Sequence, residues 1–206
     1  MFGGWSEWLG WLACMLLTGA VIKLMDDSLD AAFDKFRGKR TLAVRLGSAV
    51  FPYGLMLALL AANIDVKLTL ALFFGSYAVG MFTNWRERLP SHLPAYVEML
   101  LAVGSSVLLT GWQLALWAIA MMAVIDWLDD LVDVAGDKRS GQANLAVRIG
   151  FVETLFLVMG MLCVAVLLDP VRTVLAFVAV TLLSIGAEAT TKRLWSVHDE
   201  KEGVES

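Results

Sequence analysis

The chain has 206 residues, of which 59% are hydrophobic and 17% charged, and carries a formal net charge of −4 at neutral pH. Its mean hydropathy of +0.72 suits a protein dissolved in lipid and argues against a soluble globular enzyme. No basic stripe with interleaved aromatics is present, so a nucleic-acid partner is excluded.

In chain order the first apolar segment, 8–25, lacks a cationic start and a small-residue cleavage site, so it reads as a retained helix and not a signal peptide. It runs into an acidic cluster: Asp26, Asp27, Asp30 and Asp34, then Lys35, Gly38 and Leu42-Ala43-Val44-Arg45. Apolar segments follow at 46–62, 66–83, 93–110 and 112–128, separated by turn signals at 63–65, 84–94 and 110–111. A second acidic cluster comes next: Asp129, Asp130, Asp133 and Asp137, then Lys138, Gly141 and Leu145-Ala146-Val147-Arg148. The segments 150–168 and 171–190, divided by Asp169-Pro170, complete the apolar pattern, and 198–206 reads as a flexible polar tail. Each apolar segment is near the length needed to cross a bilayer. Cys14 and Cys163 fall inside such segments without metal-type spacing and read as small core residues.

The two clusters correspond residue for residue at an offset of 103, half the chain, and Gly47 and Gly150 extend the match. The expectation is an all-α, multi-pass transmembrane bundle of about seven helices. It forms a single domain, 1–206, built from two repeats, about 1–103 and 104–206. Fourteen of the Lys and Arg residues fall on the side that holds the clusters, and only Lys67 and Arg172 on the other. This asymmetry predicts a multi-pass protein of the cell membrane with both acidic motifs cytoplasmic. Four intervening spans, an even number, return the chain to the same face, as in a parallel repeat able to converge on one cavity.

At 100° per residue Asp27, Asp30 and Asp34 fall within about 60° of one helix face, and so do Asp130, Asp133 and Asp137. Asp126 lies one turn before Asp130, whereas the matching position in the first cluster is Lys23, so the repeat is only pseudo-symmetric. Aligned carboxylates repel one another unless a cation compensates. Oxygen ligands favour Mg²⁺, which is commonly shared between carboxylates and a substrate's phosphates, so Asp26, Asp27, Asp30, Asp34, Asp126, Asp130, Asp133 and Asp137 are candidate metal ligands and a diphosphate the candidate guest. Lys23, Lys35, Arg37, Lys39, Arg40, Lys138, Arg139, Arg45 and Arg148 are candidates to hold it, against a second reading as cytoplasmic topology anchors or structural partners. For the acidic stripes the competing reading is a solvated helix end. Glu98 and Glu188 stand within apolar segments, as cavity-facing carboxylates would.

As strings, Asp26-Asp27-Ser28-Leu29-Asp30 and Asp129-Asp130-Leu131-Val132-Asp133 are both DDxxD. With the trailing Asp-Lys, glycine and Leu-Ala-Val-Arg-x-Gly, the sequence resembles the UbiA superfamily of intramembrane prenyltransferases. The match is best from Asp130 to Gly150, similar to the family's D-x-x-D-x-x-G-D and L-x-V-R-x-G segments. The first cluster has Asp26 where the family usually has Asn, and the usual Arg-Pro after it is missing. Members usually have nine helices, so a homo-oligomer or partner subunit is expected to complete the cavity wall, or a wide lateral opening to admit long lipids.

The resemblance implies Mg²⁺-assisted ionisation of a polyprenyl diphosphate and transfer of the prenyl group to a lipophilic acceptor among the membrane lipids. Asp27, Asp30, Asp34, Asp130, Asp133 and Asp137 would be the catalytic carboxylates. Phe33, Trp127, Tyr53, Tyr77 and Tyr96 are candidates to stabilise the carbocation, against plain packing or interface anchoring. Two alternatives stay open: a terpene cyclase of the same superfamily, without an external acceptor, and a divalent-cation transporter or channel that uses the stripes as a transit site.

Overall fold

The computed structural model describes residues 4–29, 41–140 and 144–202, with side chains as far as residue 190 apart from Ser140. Asp30, Asp34, Lys35, Arg37, Lys39 and Arg40, together with Phe33, lie outside the described residues.

The described residues are all-helical: α1 Trp5–Leu29, α2 Leu42–Leu46, α3 Val50–Ile64, α4 Val66–Gly80, α5 Ala95–Thr110, α6 Trp112–Ser140, α7 Leu145–Ile149, α8 Phe151–Leu168 and α9 Pro170–Glu202. A short 3₁₀ turn, Gly47–Ala49, joins α2 to α3. Four stretches are long and apolar enough to cross a membrane: Trp5–Leu29, Leu42–Ile64, Phe151–Leu168 and Pro170–Thr190. Two of the seven expected spans are shorter, because Val66–Gly80 holds 15 residues and Ala95–Thr110 holds 16. At about 1.5 Å per residue these reach roughly 22–24 Å, less than the apolar thickness of a typical bilayer. The expected span 112–128 is instead the first part of a 29-residue helix.

The chain divides into two compact units, Met1–Asp65 with Leu175–Ser206, and Val66–Val174. In the first, α1 packs along α3. Cys14 is fully buried and its Sγ lies 3.7 Å from the Ala61 carbonyl and 3.6 Å from that of Asp65. Leu24, Ala43 and Val50 form a small core under the acidic end of α1, with Leu42, Leu46 and Leu57 packed on it.

In the second unit α6 is the central helix, and α4, α5 and α8 pack around it. Its middle is rich in alanine, and Ala115, Trp117, Ala118, Ala120, Met121, Ala123 and Val124 are buried. Small side chains let α4 come close: a Cβ on Gly75 would stand only 3.1 Å from the backbone C and O of Ala118. The Trp117 indole N–H donates to Thr173 Oγ1 at 3.0 Å, and Thr173 Oγ1 donates to the Asp169 carbonyl at 2.7 Å. Asp169 also accepts from Arg172 Nη1 at 2.9 Å.

The surface is strongly apolar. Phe156 is 74% exposed, Leu167 84% and Leu108 86%, a pattern costly in water and ordinary for helices facing lipid.

Candidate functional site at the end of α6

The second acidic cluster sits where α6 outruns its apolar portion. This 29-residue helix continues beyond the apolar stretch 112–128, so Asp129, Asp130, Asp133 and Asp137 lie past the end of that stretch and Asp126 lies just inside it. Asp126, Asp129 and Asp133 are exposed, whereas Asp130 and Asp137 are half-buried. Lys138 and Arg139 occupy the final turn, where cations complement the helix dipole, and both are exposed.

Asn144, only 2% exposed, ties this stripe to the segment that follows. Its Nδ2 donates to the Asp130 main-chain carbonyl at 2.8 Å and to Asp137 Oδ2 at 2.9 Å. Its Oδ1 accepts the Val147 N–H at 2.9 Å, which caps α7. The Leu145 N–H donates to Asp130 Oδ2 at 2.8 Å. Both amide protons and the carbonyl of Asn144 are therefore used, and the orphan N–H groups of α7 are shared between a cap and a site carboxylate. Burial pushes the Asp130 carboxyl above its usual range. The Leu145 N–H opposes that rise, while the charges of Asp137, Asp129 and Asp133 add to it.

Arg148 projects from α7 and is exposed; its guanidinium donates to the Thr83 carbonyl, so it holds the loop 81–94. The same loop reaches α6 through Phe82, whose ring lies 5.6 Å from that of Trp127. Trp127 is buried beside the stripe, and its indole N–H has no acceptor among the described residues.

In the first cluster Asp26 is exposed and Asp27 half-buried, and Lys23 Nζ lies 3.7 Å from Asp27 Oδ1, one turn along α1. Thr41 caps α2 by accepting the Val44 N–H at 3.3 Å, and Arg45 is exposed. Matching positions thus carry matching local structure inside each unit: a capping residue at 41 and 144, and a five-residue helix at Leu42–Leu46 and Leu145–Ile149. A glycine with positive φ follows each, Gly47 at 53° and Gly150 at 114°, where a side chain would be strained.

Thr41 and Asn144 were not among the candidate residues. Their signal is present in the sequence, since Thr or Asn directly before an apolar run is a helix-start pattern. The contacts of Asn144 with Asp130 and Asp137 have no such signal. The tyrosines proposed for carbocation stabilisation are all half-exposed: Tyr53 at 57%, Tyr77 at 48% and Tyr96 at 45%. Tyr96 packs edge-on against Trp85, with centroids 6.3 Å apart.

Among the described residues no group of three or more His, Cys, Asp or Glu is gathered closely enough to enclose a metal ion. A closed protein-only cage therefore does not fit. A Mg²⁺ ion held by one or two carboxylates, water and substrate phosphates does fit the donor chemistry of the stripe, because such an ion needs no cage.

The fold and the site together define an all-helical protein with helices suited to crossing a membrane and a carboxylate stripe, braced by Asn144, at the end of one long helix. Comparison with protein-family models, with curated proteins and with solved structures finds no match.

Proposed function

We propose that the protein is a Mg²⁺-dependent intramembrane prenyltransferase, built as a parallel repeat with both acidic motifs on the cytoplasmic face. The observation that carries this reading is the stripe of α6. Asp130 and Asp137 are held in place by Leu145 and Asn144, Asp133 stands exposed beside them, and Lys138 and Arg139 follow within two residues. The matched capping residues, short helices and positive-φ glycines support the repeat.

One or two of Asp126, Asp130, Asp133 and Asp137 would hold Mg²⁺ at this stripe together with water and substrate phosphates, and Asp26 and Asp27 are the described carboxylates of the corresponding stripe in the first unit. When bound, the metal neutralises charge on a diphosphate leaving group. Lys138 and Arg139 bind the remaining phosphate oxygens. The allylic C–O bond breaks heterolytically, its electron pair leaves with the diphosphate, and the allylic cation is captured by a nucleophilic atom of a lipophilic acceptor, which then loses a proton. Apolar helix faces shelter the isoprenoid, each buried methylene contributing roughly 0.8 kcal/mol. The face of Trp127 suits developing positive charge.

The test is diphosphate release by the purified, detergent-solubilised protein, offered geranyl, farnesyl and geranylgeranyl diphosphates with Mg²⁺ or EDTA, with and without a membrane-lipid extract. Metal-dependent release that needs the extract supports a transferase. Release without any acceptor points to the cyclase, and no release with any donor overturns ionisation chemistry and favours cation transport.

A further inference from the structure

A second site lies in the Val66–Val174 unit, on the α4–α5 pair. Gly75 turns one side of α4 to α6, and Phe73, Phe74 and Tyr77 lie on the remaining arc. With Leu101 of α5 they border an open groove of about 520 Å³, within the range of small-molecule sites. Almost all of its lining is apolar.

Its polar members are Ser105, the Tyr77 hydroxyl and Glu98, and Glu98 alone among them is charged. Its carboxylate accepts from the Tyr77 hydroxyl on Oε2 and from the Ser91 hydroxyl on Oε1. Both donors are neutral, so the unit negative charge stays in place, and among the described residues no cation pairs with it. The Arg86 guanidinium, in the same loop as Ser91, is stacked 4.5 Å above the Trp85 ring. A carboxylate can accept about four hydrogen bonds, and two are used here. The groove therefore offers an apolar slot ending in a negative acceptor with open lone pairs.

Its depth identifies the source of the ligand. Tyr77, Trp85 and Tyr96 are each between 41% and 48% exposed and cluster where α4 and α5 meet the loop 81–94. Half-exposed Tyr and Trp at helix ends mark the headgroup level of a bilayer. A carboxylate at that level, with an apolar groove beside it, complements a lipid whose headgroup ends in an N–H-bearing ammonium.

We infer that this groove binds a membrane lipid with a primary ammonium headgroup, phosphatidylethanolamine being the simplest, with the ammonium donating to Glu98 and an acyl chain lying along Phe73, Phe74 and Leu101. The site uses none of the carboxylates of the acidic motifs and stands or falls separately from the prenyl-transfer reading.

The test is native mass spectrometry of the full chain released from detergent containing equal amounts of phosphatidylethanolamine, phosphatidylcholine and phosphatidylglycerol, with no diphosphate present. The expected result is selective retention of phosphatidylethanolamine by the wild type. That retention should fall about tenfold in Glu98→Gln, which removes the charge but keeps the shape. Leu101→Trp, a change at a 58% exposed position, should lower it by filling the groove. Equal retention of the three lipids, no retention of any, or undiminished selectivity in Glu98→Gln would each overturn the proposal.

Discussion

Asn144 Nδ2 lies 2.9 Å from Asp137 Oδ2, and the same nitrogen donates to the Asp130 main-chain carbonyl, so one buried amide ties the Asp137 carboxylate to the α6 backbone and to the start of α7. A cap and a site brace are combined in one side chain. The matching residue in the first unit, Thr41, caps α2 through its hydroxyl.

The two roles of Asn144 are separable by substitution. Asn144→Thr should keep the α7 cap, as Thr41 does for α2, and lose the donation to Asp137. Asn144→Ala should lose both, at a cost of about 1 kcal/mol for the cap alone. The expected outcome is a smaller fall in melting temperature for the Thr variant than for the Ala variant, with a higher Mg²⁺ requirement for diphosphate release in both. Equal Mg²⁺ requirements in wild type and Asn144→Thr would sink the bracing role.

Asp130 is half-buried among like charges, and this raises its pKa. A raised carboxyl pKa makes the protonated form the favoured one in the folded state, so the group's stabilising contribution is full at low pH and is lost as pH rises through the folded value. At neutral pH the ionised group therefore costs stability when no metal is bound. Asp130→Asn keeps an acceptor for the Leu145 N–H and removes the charge. It should raise thermal stability in EDTA by about 0.5–2 kcal/mol while abolishing diphosphate release.

The same shift sets an acid limit. Protonation of Asp130 occurs above the ordinary aspartate value of about 3.9. Mg²⁺-dependent release should therefore fall on acidification at a higher pH than ordinary carboxylates would dictate, and excess Mg²⁺ should move the limb downwards. A limb that does not respond to Mg²⁺ would assign the titration to another group.

Asp133 is exposed and bears no described structural bond, so Asp133→Ala should abolish turnover and leave a folded, membrane-inserted protein. Normal turnover would remove Asp133 from the metal assignment.

Packing makes its own prediction. A Cβ at position 75 meets the Ala118 backbone at 3.1 Å, and backbone cannot rotate away as a side chain does. Gly75→Leu should destabilise by about 1–3 kcal/mol, with Gly75→Ala costing less. Thermal unfolding in detergent measures both. Equal stability of wild type and Gly75→Leu would show that α4 and α6 are farther apart.

The helical nature of the chain, its apolar segments and the stripe periodicity of Asp130, Asp133 and Asp137 were legible in the sequence, because each depends on neighbours within a few turns of one helix. So was the turn at Asp169-Pro170. Helix lengths were less legible. Val66–Gly80 and Ala95–Thr110 stop short of their apolar segments, and α6 continues through its acidic end to Ser140. Apolar content does not by itself mark where backbone hydrogen bonding ends.

What the sequence by itself determined is therefore local: which residues are helical, which faces are apolar, and which carboxylates share an edge. Tertiary structure alone decided the partners. It buried Asp130 more than Asp133, gave Asp137 to Asn144, turned Arg148 to the Thr83 carbonyl, and set Glu98 between Tyr77 and Ser91. The physical reason is that charge and hydrogen-bonding capacity belong to a residue, whereas desolvation and partner choice depend on segments up to 65 positions away that only the folded chain brings together.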